Sequence, residues 1–310
     1  MNNKTLFIVF LVLLAIYAVT KVFPGKQDRS FKTELIEVDT AAVSSIIIDP
    51  KGEIPEFTLT RSENGWIGSN GTLNVKVPAA KVQGILSTLS LIKTKQIAAK
   101  KEEKWKEFEV EESNGTRIQV YTNSKKEEDF IVGKFNFNPQ TQSAISFVRL
   151  NGEVEIYAVD GFLTMTLGQD FNSYRDKTFL TLNPGVEITS FSYELPEGAL
   201  TFSKASGQWM LNEEVALDST KVANYLAGFQ QLNGTTFADN FDDLRAQTLP
   251  TKTIRMQGNN LLEPIEIQCF VDTTQLEQPF VLHSNYSDAY FSSDSTGLYQ
   301  TIFKDISDLQ

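Results

Sequence analysis

Carboxylates are the side chains of this sequence with the greatest potential for chemistry. Asp239, Asp242 and Asp243 cluster near the predicted start of a helix. Two carboxylates on opposite sides of a substrate act as acid and base in glycoside hydrolysis, but distance rather than sequence spacing defines such a pair. Acidic residues near a helix start also stabilise the helix dipole. The cluster therefore favours an acidic surface patch, with a carbohydrate-binding or carbohydrate-active site as the alternative.

Other residue types used in catalysis and metal binding are scarce. The chain has one cysteine, Cys269, and one histidine, His283. A structural zinc site needs more ligands than these two residues provide, and a thiol–imidazole pair would have to be formed by Cys269 and His283 themselves. The sequence also has no P-loop, no dinucleotide-binding glycine motif and no nucleophile-elbow motif. We therefore predict no catalytic residues, no cofactor and no metal, and expect that the protein is not an enzyme.

Aromatic residues form a second candidate surface. Phe135 and Phe137 lie two residues apart, and alternate residues of an extended chain point to the same side. Exposed rings at a loop or a sheet edge are typical of protein-contact sites. Trp66 and Trp209 offer flat rings for sugar stacking, but both follow a hairpin turn at matching places, which favours packing. We predict a partner-contact patch at Phe135 and Phe137.

A long-range repeat organises the elements that hold these residues. Apolar positions recur at constant offsets between the two halves of the chain, whereas charged positions do not recur. Conserved spacing of apolar positions indicates a duplicated core rather than a duplicated reactive site. The matched residues are Ile46 and Phe191, Leu59 and Phe202, Trp66 and Trp209, Val82 and Val222, Val120 and Met256, Phe130 and Ile265, and Tyr157 and Tyr290.

Each copy combines strand signals with one helix. Alternating and β-branched runs predict antiparallel strands joined by short turns. Apolar spacing of three and four residues predicts one main helix per copy, beginning near Pro78 in the first and capped by Asp218 in the second. The charged run at 93–107 is interpreted as a helical surface. We predict an α+β fold of two similar repeats, each an antiparallel sheet with one main amphipathic helix.

An apolar run near the N terminus predicts a transmembrane helix. Residues 5–23 span the hydrocarbon core as a helix if Lys21 reaches the headgroups. A cleaved signal peptide is the competing interpretation, but bulky Ile16 suits a cleavage site poorly. We favour an uncleaved anchor. The predicted organisation is a tail at 1–4, an anchor at 5–23, a tether at 24–32, and repeats at 33–180 and 181–310.

Charge limits the expected partners. The net charge is −11, and residues 181–310 hold 17 acidic and six basic residues. Such an acidic half repels nucleic acids, so we expect no nucleic-acid partner. We place residues 30–310 in the periplasm, beside a bacterial inner membrane, although the basic residues after the anchor favour the opposite orientation. The expected partners are the membrane, through the N-terminal helix, and other envelope proteins.

Several stretches together resemble a known family. They are VDTAAVSSIII at 38–48, VPAAKVQGILSTLSLIK at 77–93, FVRLNGEVEIYAVDG at 147–161 and SYRDKTFL at 173–180. The chain is similar to the bacterial family called domain of unknown function 4340 over residues 36–180, and more loosely beyond. Gly84 and the insertion at 135–139 depart from its pattern. Members are often encoded beside gliding-motility-type ABC transporters, so the resemblance implies an envelope accessory role and supplies no catalytic residues.

Overall fold

The computed structural model describes residues 32–241 and 249–310. Strands hold 46% and helices 17% of these residues. The predicted α+β class is therefore wrong: the chain is mostly β, and its longest described helix has 11 residues. The predicted tail, anchor and nearly all of the tether lie outside the described residues. Within the two described ranges, no helix is both long and apolar enough to cross a membrane.

The chain divides into two compact units between Asp176 and Lys177, four residues before the predicted repeat boundary. One antiparallel sheet dominates the first unit. Its strands are β1 (Glu34–Glu37), β2 (Val43–Asp49), β3 (Phe57–Ser62), β4 (Gly65–Ser69), β5 (Asn74–Val77), β6 (Leu91–Ala99), β7 (Thr116–Thr122), β8 (Lys125–Asn138), β9 (Ser143–Leu150) and β10 (Ile156–Asp160). Its helices are α1 (Ala79–Leu89), α2 (Trp105–Phe108), α3 (Leu163–Leu167) and α4 (Phe171–Tyr174), with a 3-10 turn at Glu102–Lys104.

The second unit has one large antiparallel sheet and one small one. Its strands are β11 (Thr178–Thr181), β12 (Glu187–Leu195), β13 (Gly198–Ala205), β14 (Gln208–Leu211), β15 (Val215–Ala216), β16 (Gln231–Asn233), β17 (Thr236–Phe237), β18 (Lys252–Asn259), β19 (Ile265–Val271), β20 (Phe280–Ser284) and β21 (Phe291–Ser293). Its helices are α5 (Ser219–Ala227) and α6 (Leu298–Ile302), with 3-10 turns at Gly228–Gln230 and Ile306–Asp308.

The two units share one strand order. The first runs β10-β9-β8-β7-β2-β3-β4-β5, and the second runs β21-β20-β19-β18-β12-β13-β14-β15. The β1–β6 and β11–β16 pairs each contain an irregularity at the same place, after Glu34 in one and after Thr178 in the other. A second irregularity, on β2 and β12, is also shared. Shared bulges are typical of one folding unit present twice.

Each unit buries one helix face beside its sheet. Pro78 precedes α1, and the stripe of α1 that begins at Val82 and ends at Leu89 is buried. In the second unit the Asp218 carboxylate accepts hydrogen bonds from the backbone N–H groups of Thr220 and Lys221, which confirms the predicted cap. These helices cover sheets that are far larger than themselves, which is why the class is β rather than α+β.

The charged run at 93–107 explains part of the wrong class. Its first half forms strand β6 rather than a helical surface, with Ile92 and Thr94 buried and their neighbours exposed. This strand pairs with both β1 and β10, so backbone pairing on two sides outweighs the helical preference of its lysines and alanines. Only the residues around Trp105 are helical.

Strand pairing corrects the predicted match of β8 with β19. Phe130 lies opposite Ile118. The counterpart of Ile118 is Ile254, which lies opposite Ile267. Ile267, rather than the predicted Ile265, therefore corresponds to Phe130. A slip of two residues keeps every side chain on the same face, so the alternation of apolar residues alone did not reveal it.

The predicted match between β10 and the region of β21 is also wrong, by one residue. Tyr157 lies opposite Val148, and Phe291 lies opposite Leu282. Phe291, rather than Tyr290, is the counterpart of Tyr157. The residue after Val148 is Arg149, so its counterpart in the second unit is His283, the residue after Leu282.

Candidate functional site

The predicted aromatic pair lies on a surface projection of the first unit. Strand β8 pairs with β7 only as far as Val132, and beyond this point it continues with β9 alone. We call residues 134–146 the arm. Phe135 and Phe137 lie on it, 38% and 50% exposed. The structure therefore places both predicted residues at an exposed sheet edge.

Two further apolar residues extend this pair. The ring of Phe162 lies 5.4 Å from that of Phe135 and 5.8 Å from that of Phe137, measured between centroids. Phe162 is 39% exposed, and Met165, one helical turn further on, is 57% exposed. We call these four residues the aromatic patch. Phe162 and Met165 lie about 25 residues further along the chain, so no spacing in the sequence indicated that they join the pair.

Hydrogen bonds hold the patch in place. The Ser146 hydroxyl donates to the carbonyl of Gly161 at 2.7 Å and accepts from the Leu163 N–H at 2.9 Å. The Thr164 hydroxyl donates to the carbonyl of Gly133 at 2.7 Å. These contacts tie the start of α3 to the base of the arm, so the rings are positioned before any partner arrives.

The outer edge of the arm is open. Residues 135–138 pair with β9 on one side, and among the described strands no other strand pairs with them on the opposite side. In an antiparallel strand alternate residues direct their N–H and C=O groups to opposite sides, so part of this backbone faces outward. Such an edge is a template for a further strand.

A small pocket of about 230 Å³ lies at the base of this edge. Phe135 and Thr164 contribute to its wall, and the ion pair of Lys51 with Glu109, 2.6 Å apart, closes one side. The pocket can take one apolar or polar side chain that enters along the open edge. The arm thus combines exposed rings, free backbone groups and a side-chain pocket.

The predicted acidic cluster is only partly described. Asp239 lies exposed after β17, whereas Asp242 and Asp243 lie outside the described residues. Trp66 and Trp209 are 7% and 4% exposed, and both belong to the cores of their units. These two rings are therefore unavailable for stacking on a sugar.

The single cysteine and the single histidine lie on neighbouring strands of the second unit. Cys269 is buried, and burial raises the pKa of its thiol to about 11. The thiol is therefore protonated at neutral pH and unsuited to nucleophilic attack. The ring of His283 stacks on Tyr290 at 4.4 Å. In the described part of the chain, no group of three or more His, Cys, Asp or Glu side chains could hold a metal ion.

A charged cluster in the first unit centres on Asp129. Its carboxylate accepts from Arg117 through two nitrogens at 2.9 Å each, from Lys126 at 2.8 Å and from the Asn151 amide at 2.9 Å. Although desolvation opposes it, this set of donors holds the pKa of Asp129 well below its usual range. The cluster joins strands β7 and β8 to the turn after β9, and is a structural feature of the sheet.

The fold and these surfaces define a duplicated, mostly β protein whose two units share a strand order and differ on their surfaces. The chain belongs to the family described as domain of unknown function (DUF4340), whose profile matches residues 69–252. The resemblance inferred from the sequence is thereby confirmed. No curated protein matches the chain, and no solved structure matches it either.

Proposed function

We propose that this protein is a non-enzymatic, membrane-anchored component of the bacterial envelope that binds a partner protein through the arm. The arm itself carries the proposal, because exposed rings there border a strand edge with free backbone groups. Residues 5–23 would supply the anchor. The genomic neighbourhood implied by the family resemblance supports an ABC-type transport or gliding-motility-like assembly as the setting.

The partner segment that fits the arm is an extended chain with apolar side chains at alternate positions. Such a chain adds a strand to the open edge of β8 through backbone hydrogen bonds, and its side chains contact the aromatic patch. The arm from Phe135 to Asn138 contains no charged residue. Native edges are commonly protected by charges, so an uncharged edge beside exposed rings favours strand addition.

Site-specific photo-crosslinking tests the proposal in intact membranes. A photoreactive phenylalanine at position 137 is expected to give one discrete protein adduct, which mass spectrometry identifies. Leu276 is the matched control because it is 89% exposed and lies in the second unit. An adduct of the same yield at position 276, or adducts to lipid alone at 137, would contradict the proposal.

Binding to the purified partner then tests the contact chemistry. Phe135→Ser combined with Phe162→Ser is expected to weaken binding at least tenfold, since aromatic anchors at interface centres contribute roughly 2 kcal/mol or more. Hydrogen exchange of the amides at 134–138 is expected to slow when the partner is added. Unchanged exchange in a complex that still forms would exclude strand addition.

Protease accessibility tests the predicted location. In spheroplasts of cells that make the full chain, external protease is expected to digest residues 30–310, because we place them in the periplasm. A cytoplasmic marker protein controls for intact membranes. Protection of this region until the membrane is dissolved would reverse the orientation.

A further inference from the structure

Arg149 is a buried cation held by few contacts. Arg149 is 4% exposed, and its Nε–H group donates a hydrogen bond to the carbonyl of Val110 at 2.9 Å. Among residues 32–241 and 249–310, no group accepts a hydrogen bond from its two terminal nitrogens. Desolvation lowers the pKa of Arg149, as expected for a cation with little compensation. A buried guanidinium with unused donors is costly unless something pairs with it.

These donors face a surface cleft of about 660 Å³. The indole of Trp105 forms one wall, with the guanidinium of Arg149 3.9 Å from its ring centroid. The indole N–H donates to the carbonyl of Val154 at 3.0 Å, which fixes the ring. The stacking holds the planar guanidinium in one orientation. Its remaining N–H groups therefore point into the cleft in a fixed geometry, as a fork of parallel donors.

Carboxylates form the rim of the same cleft, and each has a contact other than Arg149. Glu153 forms an ion pair with Lys32 at 2.6 Å. Glu111 accepts a hydrogen bond from the side-chain amide of Asn114 at 2.9 Å. Glu112 lies 3.7 Å from Arg117, and its side chain is 67% exposed. The cleft therefore has a cationic floor and an anionic rim.

We propose that this cleft binds a small zwitterion of the amino-acid type, with a carboxylate on Arg149 and an ammonium group at Glu111 and Glu112. The guanidinium fork matches a carboxylate with two parallel hydrogen bonds. The rim attracts the ammonium group and repels a second negative charge. Inorganic phosphate, which carries more negative charge at neutral pH, is disfavoured for this reason.

Fluorescence and calorimetry on the full chain in detergent micelles test this site. Trp66 and Trp209 are buried, so a change in emission on ligand addition reports on Trp105. L-lysine is expected to bind saturably, acetate at least about tenfold more weakly because it lacks the ammonium group, and phosphate not at all at about 10 mM. Absence of saturation with lysine at that concentration, or tighter binding of phosphate than of lysine, would overturn the proposal.

Two variants separate binding from folding. Arg149→Lys keeps the charge and loses the fork, so lysine binding is expected to fall at least about tenfold. Arg61→Lys is the matched control, because the Arg61 guanidinium also lies over a tryptophan, Trp66, at 4.8 Å in the same unit. Glu112→Gln is expected to weaken lysine binding and leave acetate binding unchanged. Equal lysine binding by Arg149→Lys and Arg61→Lys, with native circular dichroism in both, would exclude Arg149 as the anchor.

Discussion

The two units have the same strand order, and one pair of matched positions shows how their surfaces differ. Arg149 in the first unit lies under Trp105 and faces a cleft, whereas its counterpart His283 stacks on Tyr290. The hairpin beside it also differs. In the first unit β8 and β9 extend into the arm, while β19 ends at Val271 and a loop precedes β20. The inner faces that pack are retained, and the surfaces that meet solvent have diverged.

The largest loss of stability is expected when the buried side chains that the two units share are truncated. Leu59 and Phe202 are counterparts, and both are fully buried. Leu59→Ala is expected to cost about 2–5 kcal/mol of unfolding free energy and Phe202→Ala about 3–5 kcal/mol, because each leaves a cavity. Urea denaturation followed by circular dichroism measures both. The exposed Leu276→Ala serves as control, with an expected change within about 0.5 kcal/mol. A cost below about 1 kcal/mol at either site would break the match.

Gly234 lies at a place where the cores of the two units differ. Gly234 and Thr235 separate β16 from β17. Leu232 pairs with Leu180 as Ile92 pairs with Ile36, so the counterpart of Gly234 in the continuous strand β6 is Thr94. A Cβ at Gly234 would lie 1.9 Å from Phe291. Gly234→Ala is therefore expected to cost about 1–3 kcal/mol through overpacking, measured by thermal unfolding. Gly228→Ala is the control, because a Cβ there meets no atom within 4 Å. Equal effects at both glycines would contradict this account.

The Asp129 cluster predicts a pH dependence that belongs to the first unit. Folding lowers the pKa of Asp129 below its unfolded value of about 3.9, so its contribution is present above that pH and is lost as the pH falls below it. Asp129→Asn is expected to remove about 1–2 kcal/mol at pH 7 and less at pH 3. Unfolding titrations at the two pH values measure the difference. A loss that is the same at both would show that the charge of Asp129 is unimportant.

The smallest expected effect is a gain in stability rather than a loss. The hydroxyl of Thr94 is buried and has no hydrogen-bond partner among the residues that the structure describes. Thr94→Val keeps the shape and removes the unsatisfied group, so it is expected to stabilise the protein by up to about 1 kcal/mol. Thr94→Ser, which keeps the hydroxyl and loses a methyl group, is the control and is expected to destabilise. Stabilisation by both variants would contradict the explanation.

The sequence predicted what depends on local pattern. Apolar offsets matched Ile46 with Phe191 and Leu59 with Phe202, and the strand pairs join these residues in the same way in both units. Asp218 caps its helix, as its place before the apolar stripe predicted. The fold class was wrong because β6 and other strands are stabilised by pairing with distant strands, which a local pattern does not contain.

The candidate sites show the same limit. Phe135 and Phe137 were predicted because alternation places them on one side of a strand. Phe162 joins them only through the contact of α3 with the arm, and Arg149 meets Trp105 only because the segment before β7 returns across β9. Both contacts link residues far apart in sequence, so no spacing rule could indicate them.

The strand order limits which fragments of the chain can fold. The family profile matches residues 69–252, yet β2 lies between β7 and β3 in the first sheet, and β18 links β12 to β19 in the second. A fragment with those limits would lack β1 to β3 and all but the last residue of β4 from one sheet. From the other sheet it would lack β19 to β21 and all but the first residue of β18. Two split sheets with unpaired central strands would aggregate rather than fold. The recognisable sequence of the family is thus shorter than the smallest piece that contains both sheets, which runs from β1 to β21.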